Sequence, residues 1–207
     1  MSTSPMTVTS NRWPASKRQM GIGFMVPISE RSAFGSPLRF TDMVEMARVA
    51  EDAGYDAIWL ADHFIFRPPV ASEGEEYGPW EAWTAAAALA QATSRIHIGL
   101  LVTCLGWRNP GIVARMTETI DEISGGRFIL GVGAGWHEPE YEAYGFPFDH
   151  RVGRFEDAIT IIHSLLRTGK ADHDGRFFQA VNAANRPRGP LGATGGSPIL
   201  VGTSGER

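Results

Sequence analysis

The chain has 207 residues, 43% of them apolar, enough to bury a sizeable core as one domain. A formal net charge of -4 argues against an electrostatic nucleic-acid binder, and no apolar run approaches the roughly 18 residues that span a bilayer. Cys104 is the single cysteine, which excludes an internal disulfide framework and suits a reducing, cytoplasmic compartment. The six histidines form no H-x-x-x-H pair and there is no C-x-x-C, so no metal spacing is present. Residues 1–18 are polar, lack the apolar stretch of a secretory signal, and are expected to form a disordered tail.

A short apolar run at 20–26, bounded by Pro27, predicts a first strand. Ser36-Pro37 opens a helix carrying Phe40, Met43, Val44, Ala47 and Ala50 at helical spacing, and Gly54 sits where a left-handed stop belongs. Residues 56–61 (Asp-Ala-Ile-Trp-Leu-Ala) are apolar on both faces, as a buried parallel strand should be. A helix is expected over 81–92 and a third strand over 96–103. Asn109-Pro110 then caps a helix with Ile112, Val113, Met116, Ile120 and Ile123 on one face, stopped by Gly125-Gly126.

The fourth strand is expected over 127–132. Its glycine-rich end leads into an apparent helix start, within a polar connection at 138–153. A helix follows with Phe155, Ala158, Ile159, Ile162, Leu165 and Leu166 inward, ending at Gly169. Asp174-Gly175 reads as a hairpin turn, 182–197 as a Pro/Gly/Asn-rich loop, and 198–201 as a fifth strand. Alternating buried strands and helices mean a parallel sheet with right-handed crossovers. Periodicity leaves a doubly wound sheet and a closed (β/α)8 barrel both open.

In either architecture ligands gather at the carboxyl ends of the strands. Those ends are Asp62-His63, Val102-Thr103-Cys104, Gly133-Ala134-Gly135-Trp136 and Gly202-Thr203-Ser204-Gly205. Asp62-His63 is the acid/base pair among them, and histidine titrates near neutrality. Neighbouring strand residues point to opposite faces, so Asp62 is not expected to orient His63; the bland alternative is a surface histidine opening a loop. The G-x-G-x-G stretch removes side chains between its strand and whatever sits above, without matching the dinucleotide spacing; alone, it would be an ordinary tight turn. The 202–205 segment offers backbone N–H groups and two hydroxyls, a phosphate cradle or simply a helix cap. Cys104 and His97 read as core residues, and 73–76 as a solvated loop. Trp80, Trp83, Trp107 and Trp136 are expected in core packing or loop anchoring, with stacking on an aromatic cofactor the rarer use.

Several of these segments, in order, resemble the luciferase-like monooxygenase family. They are Ala53-Gly54-Tyr55-Asp56 through His63, Ile98-Gly99 through Thr103 with Trp107-Arg108-Asn109-Pro110, and Ile123-Ser124-Gly125-Gly126-Arg127 through Trp136. Tyr144-Gly145-Phe146-Pro147-Phe148 and Pro198-Ile199-Leu200-Val201 through Arg207 complete the set. The resemblance, running from about residue 20 to 207, is nearest to the branch that uses the deazaflavin coenzyme F420. It implies an α/β fold, a luciferase-like (β/α)8 TIM barrel of which about the first five units are present at 19–207. It implies a cytoplasmic oxidoreductase passing a hydride between F420 and a small organic substrate. Partners would be that substrate and, at full length, a second copy in a homodimer, with no nucleic acid and no membrane. FMN, in a monooxygenase acting on sulfonates or aldehydes, is the alternative cofactor. A truncated, inactive fragment that acts at most as an interaction partner is the third reading.

By residue, the resemblance makes His63 the catalytic base or hydrogen-bond donor and puts Asp62 near the ring. It places a bulge with a non-prolyl cis peptide around Leu101, Val102 and Thr103, beneath the ring. Gly133, Gly135, Trp136, Gly202, Thr203, Ser204 and Gly205 match cofactor-contacting loops. Two departures stand out: sugar-phosphate dehydrogenases of the family carry glutamate where Trp136 stands, and relatives often carry asparagine at the position of His137.

Overall fold

A computed structural model describes residues 20–29, 38–66 and 77–203. The expected tail over 1–18, the Ser36-Pro37 helix start, the 73–76 loop, and Ser204 and Gly205 lie outside these residues.

In chain order the elements are β1 (Gly23–Met25), α1 (Phe40–Asp52), β2 (Ala57–Leu60), α2 (Ala82–Ala92), β3 (His97–Leu100), β4 (Thr103–Cys104) and α3 (Pro110–Ser124). They continue with β5 (Phe128–Gly133), α4 (Glu138–Tyr144), α5 (Arg151–Thr168), β6 (Lys170–Asp174), β7 (Gln179–Ala184) and β8 (Ile199–Val201). β1 pairs with β2, β2 with β3, β3 and β4 with β5, and β5 with β8, all parallel. Both β3 and β4 lie against β5, so they are two halves of one strand. Strands therefore follow one another in space as they do in the chain. A doubly wound sheet reverses its strand order at a switch point, and here there is none. This is the wall of a (β/α)8 barrel over about its first five units, which decides between the two architectures.

The expected third strand is broken where Leu101-Val102 adopts a cis peptide bond, the bulge that the resemblance implied. The expected 182–197 loop is shorter, because β7 runs to Ala184 and Pro190–Thr194 forms a 3-10 turn. Around Asp174-Gly175 the antiparallel strands part at Asp174 and resume at Gln179, a wider connection than a two-residue turn.

The sheet has two apolar faces, which is why its strands show no alternation. Outward, Ile58, Leu60, Ile98, Leu100, Phe128 and Leu130 pack under Met43, Leu89, Val113 and Ile162 of the helices. Inward, Ala57, Trp59 and Ile129 form a small cluster with Leu200. Trp59 needs space on both sides: a Cβ on Gly23 would lie 2.7 Å from its Cδ1, and one on Gly99 would press on its six-membered ring.

Polar groups fasten the amino-terminal end of the barrel. Arg127 Nη1 donates to Ile96 O at 2.7 Å, Nη2 to Ala90 O at 2.7 Å, and Nε to Ser124 O at 2.7 Å, tying the ends of α2 and α3 to β5. Arg127→Met leaves those carbonyls without donors and is expected to cost ~2–4 kcal/mol, read from the urea midpoint. Glu118 and Asp121 of α3 hold the segment after β7: Gly189 N donates to Glu118 Oε2 at 2.6 Å and Leu191 N to Asp121 Oδ2 at 2.9 Å. Burial, helped by the charges of Glu118 and Glu122, pushes the Asp121 carboxyl up to about 6. The folded state thus binds this proton more tightly than the unfolded chain, a contribution present at low pH and lost as pH rises through about 6. Asp121→Asn keeps the acceptor for Leu191 N–H and cannot ionise. It is expected to exceed the wild type in stability by ~1 kcal/mol at pH 8, with no such advantage at pH 4, measured by denaturation at both pH values.

Candidate active site at the carboxyl ends of the strands

Above the carboxyl ends of the strands lies a cleft of about 850 Å³. Asp62, His63, Leu101, Val102, Gly133, Gly135, Trp136, Gly202 and Thr203 all line it, so four strand ends far apart in sequence meet in one mouth. Thr103 differs: it is fully buried, absent from the lining, and its hydroxyl has no hydrogen-bond partner among the described residues.

The glycines have a reason that the sequence did not reveal. A Cβ on Gly133 would lie 2.7 Å from Val102 Cγ2, and one on Gly202 2.8 Å from Val102 Cγ1. Val102, turned by the bulge, packs against both. Gly135 has φ +77°, and a Cβ there would lie 2.6 Å from Cys104 Sγ and closer still to the Tyr141 hydroxyl. The expectation that these glycines clear space for something above is thus corrected in part: much of that space is filled by the protein itself.

Asp62 is clamped by Arg108, whose Nη1 donates to Oδ2 at 2.6 Å and Nη2 to Oδ1 at 2.9 Å, while Cys104 N donates to Oδ2 at 3.1 Å. Burial raises the Asp62 carboxyl above its ordinary value, and Arg108 and the Cys104 amide offset part of that rise. Arg108 also reaches Glu81 Oε1 at 3.2 Å, and Glu81 caps α2 through Trp83 N and Thr84 N. Asp62 therefore steadies the bulged strand and, as expected, does not orient His63.

His63 finds its carboxylate elsewhere. Its Nδ1 lies 2.8 Å from Glu140 Oε2, and Glu140 is completely buried. Glu140 Oε1 accepts from Phe64 N at 2.5 Å and Ile65 N at 3.1 Å. Four rings surround the imidazole, with centroids at 4.5 Å for Phe66, 5.7 Å for Trp136, 6.2 Å for Trp107 and 6.4 Å for His137. Trp136 is 67% exposed, an uncovered indole at the rim of the cleft. Tyr141 Oη donates to Ala134 O at 2.9 Å and lies 2.9 Å from Cys104 Sγ, which pins the glycine-rich turn to β4. Burial pushes the Cys104 thiol up to about 11, so it is a packed thiol, not a nucleophile. Arg151 Nη1 donates to Gly135 O at 2.9 Å with its guanidinium 4.0 Å above the Phe148 ring.

Sequence reasoning missed Glu140, Arg108 and Tyr141. Glu140 pairs with a residue 77 positions away, and an acid in a short polar helix looks solvated until the fold closes over it. Among the described residues no group of three His, Cys, Asp or Glu could hold a metal ion, and no helix is long and apolar enough to cross a membrane.

A sequence profile described as luciferase-like monooxygenase matches residues 20–207. The F420-dependent glucose-6-phosphate dehydrogenase of Amycolatopsis mediterranei is 34% identical over 174 residues, covering 80% of this chain and 50% of that protein. The pyrimidine monooxygenase RutA of Serratia proteamaculans is 46% identical over 104 residues, covering 48% of this chain and 28% of that protein. The coenzyme F420 dependent tetrahydromethanopterin reductase from Methanopyrus kandleri superposes with a TM-score of 0.68 at 23% identity, covering 89% of this chain and 50% of that one, a likeness of fold. The chain spans half or less of the length of these relatives. A bulged third strand, a cleft over successive strand ends and a profile match over all the described residues agree: the chain belongs to the luciferase-like monooxygenase family.

Proposed function

We propose that the protein is an F420-dependent oxidoreductase, with His63 handling the proton while a hydride passes between the deazaflavin and a small organic substrate. The observation that carries this reading is the convergence of His63, Leu101, Val102, Gly135 and Thr203 on one cleft. Its volume, about 850 Å³, suits a planar cofactor with a substrate beside it, given that such sites run to roughly 300–1,000 Å³. The fit is also local: Leu101 is 39% exposed at the bulge, an apolar platform, and Trp136 stands uncovered at the rim.

When bound, the deazaflavin would supply the two-electron hydride chemistry. Leu101 and Val102 would support the ring from below, and the backbone of Gly202 and Thr203 would meet its polar tail. His63 would hold or release the proton at Nε2, the ring nitrogen left over from the Glu140 contact. Phe66, Trp107 and Trp136 would exclude water around it. Among the described cleft residues the one arginine or lysine is Arg151, and Gly135 O and the Phe148 ring already engage it. Trp136 stands where sugar-phosphate enzymes of the family carry glutamate, which favours a substrate of another class.

FMN in an oxygen-using enzyme is the second reading, favoured by the 46% identity to RutA over 104 residues. Parallel fluorescence titrations of the purified protein with F420 and with FMN separate the two. Tighter binding of F420 by at least tenfold is expected; preferential binding of FMN would overturn the proposal in favour of the second reading, and binding of neither would remove both.

A further inference from the structure

We propose that Glu140 is a positioning residue that fixes the tautomer of His63, keeping the proton on Nδ1 and the Nε2 lone pair free. Glu140 Oε1 is taken by two backbone donors, Phe64 N at 2.5 Å and Ile65 N at 3.1 Å. Oε2 is left to face His63 Nδ1 at 2.8 Å. An ionised carboxylate only accepts hydrogen bonds, so the hydrogen between Oε2 and Nδ1 sits on the imidazole. Nε2 is then an acceptor, suited to taking a proton from an alcohol-type substrate and returning it in the reverse direction. Without the carboxylate, nothing described at Nδ1 would choose between the two neutral tautomers.

The same backbone donors make the substitution Glu140→Gln informative. Phe64 N and Ile65 N need an acceptor, so the side-chain oxygen of glutamine is held at their side and its NH2 group is turned toward Nδ1. That NH2 donates. Nδ1 must become the acceptor, and the proton moves to Nε2. A change of one atom in a buried side chain thus inverts which imidazole nitrogen is protonated without removing His63 or altering the volume of the site.

The test is two-bond proton–nitrogen NMR of isotope-labelled protein without cofactor, with the His63 signals assigned by their loss in His63→Gln. The wild type is expected to show Nδ1 protonated and Nε2 bare, and Glu140→Gln the reverse, with a melting temperature within a few degrees of the wild type. A structural role alone would not move the proton between the two nitrogens. A wild-type His63 carrying its proton on Nε2 would overturn the proposal, as would an unchanged tautomer in Glu140→Gln. Should that variant fail to fold, the wild-type spectrum decides by itself. The catalytic consequence rests on the oxidoreductase reading: a turnover loss of roughly 10²–10⁴-fold in Glu140→Gln, by analogy with a base left in the wrong tautomer. The spectrum needs no cofactor or substrate, so failure of that reading and failure of this inference are told apart.

Discussion

Gly131→Ala is expected to destabilise the protein by at least ~3 kcal/mol, and at physiological temperature to prevent folding. The new methyl group would drive into the Leu100 carbonyl, with the carbonyl carbon at 3.0 Å and Val102 Cγ1 at 3.3 Å. Neither neighbour can yield cheaply. Leu100 closes β3 in register with Leu60 of β2, and Val102 packs against Gly133 and Gly202 across the bulge. Relief would require β3 and β5 to separate where they share the central wall of the barrel. Gly111→Ala, in the first turn of α3, is the contrast: its Cβ meets only the Asn109 Oδ1 cap at 3.1 Å, and alanine favours helix, so stability should move by less than ~1 kcal/mol. Circular dichroism through a urea titration reads both. A Gly131→Ala protein with a wild-type midpoint would mean that the bulged strand does not press on β5 as described.

His63→Gln is expected to lower turnover by roughly 10²–10⁴-fold, the usual contribution of a positioned acid or base, while binding of the oxidised deazaflavin changes by less than a few fold. The reason for the split is positional. His63 hangs from the end of β2 on the Glu140 contact, whereas the surfaces assigned to the ring, Leu101 and Val102 below and Gly202 and Thr203 beside it, do not depend on the imidazole. Glutamine keeps a polar side chain of similar reach but has no titratable nitrogen. Steady-state kinetics with either candidate cofactor, together with a binding titration, measure the two effects separately. Undiminished turnover would remove His63 from the chemistry and assign the proton to another group.

Asp62 and His63 show how far adjacent residues can be told apart from sequence. Strand alternation was the reason to separate Asp62 from His63, yet β2 ends at Leu60 and both residues line the cleft; their different partners, not opposite faces, keep them apart. What each side chain does pair with is not local. Asp62 meets Arg108, 46 residues on, and His63 meets Glu140. The glycine-rich turn gives the same lesson from the other side. Its existence and its place after a strand were legible, but its cause, the side chains of Val102, Cys104 and Tyr141 pushed into it, belongs to other elements.

Residue order alone determined the sequence of strands and helices and most of the strand-end residues that meet at the cleft, because hydrophobic periodicity, caps and turn glycines act over a few residues. Family resemblance, carried by short segments in a fixed order, was also written in the chain. Only the tertiary structure decided that the strands follow one another without reversal, that the third is broken at Leu101-Val102, that Thr103 turns away from the cleft, and that Glu140 stands behind His63. Each of these depends on contacts between distant segments, and such contacts exist only once the sheet has curved and brought its carboxyl ends together.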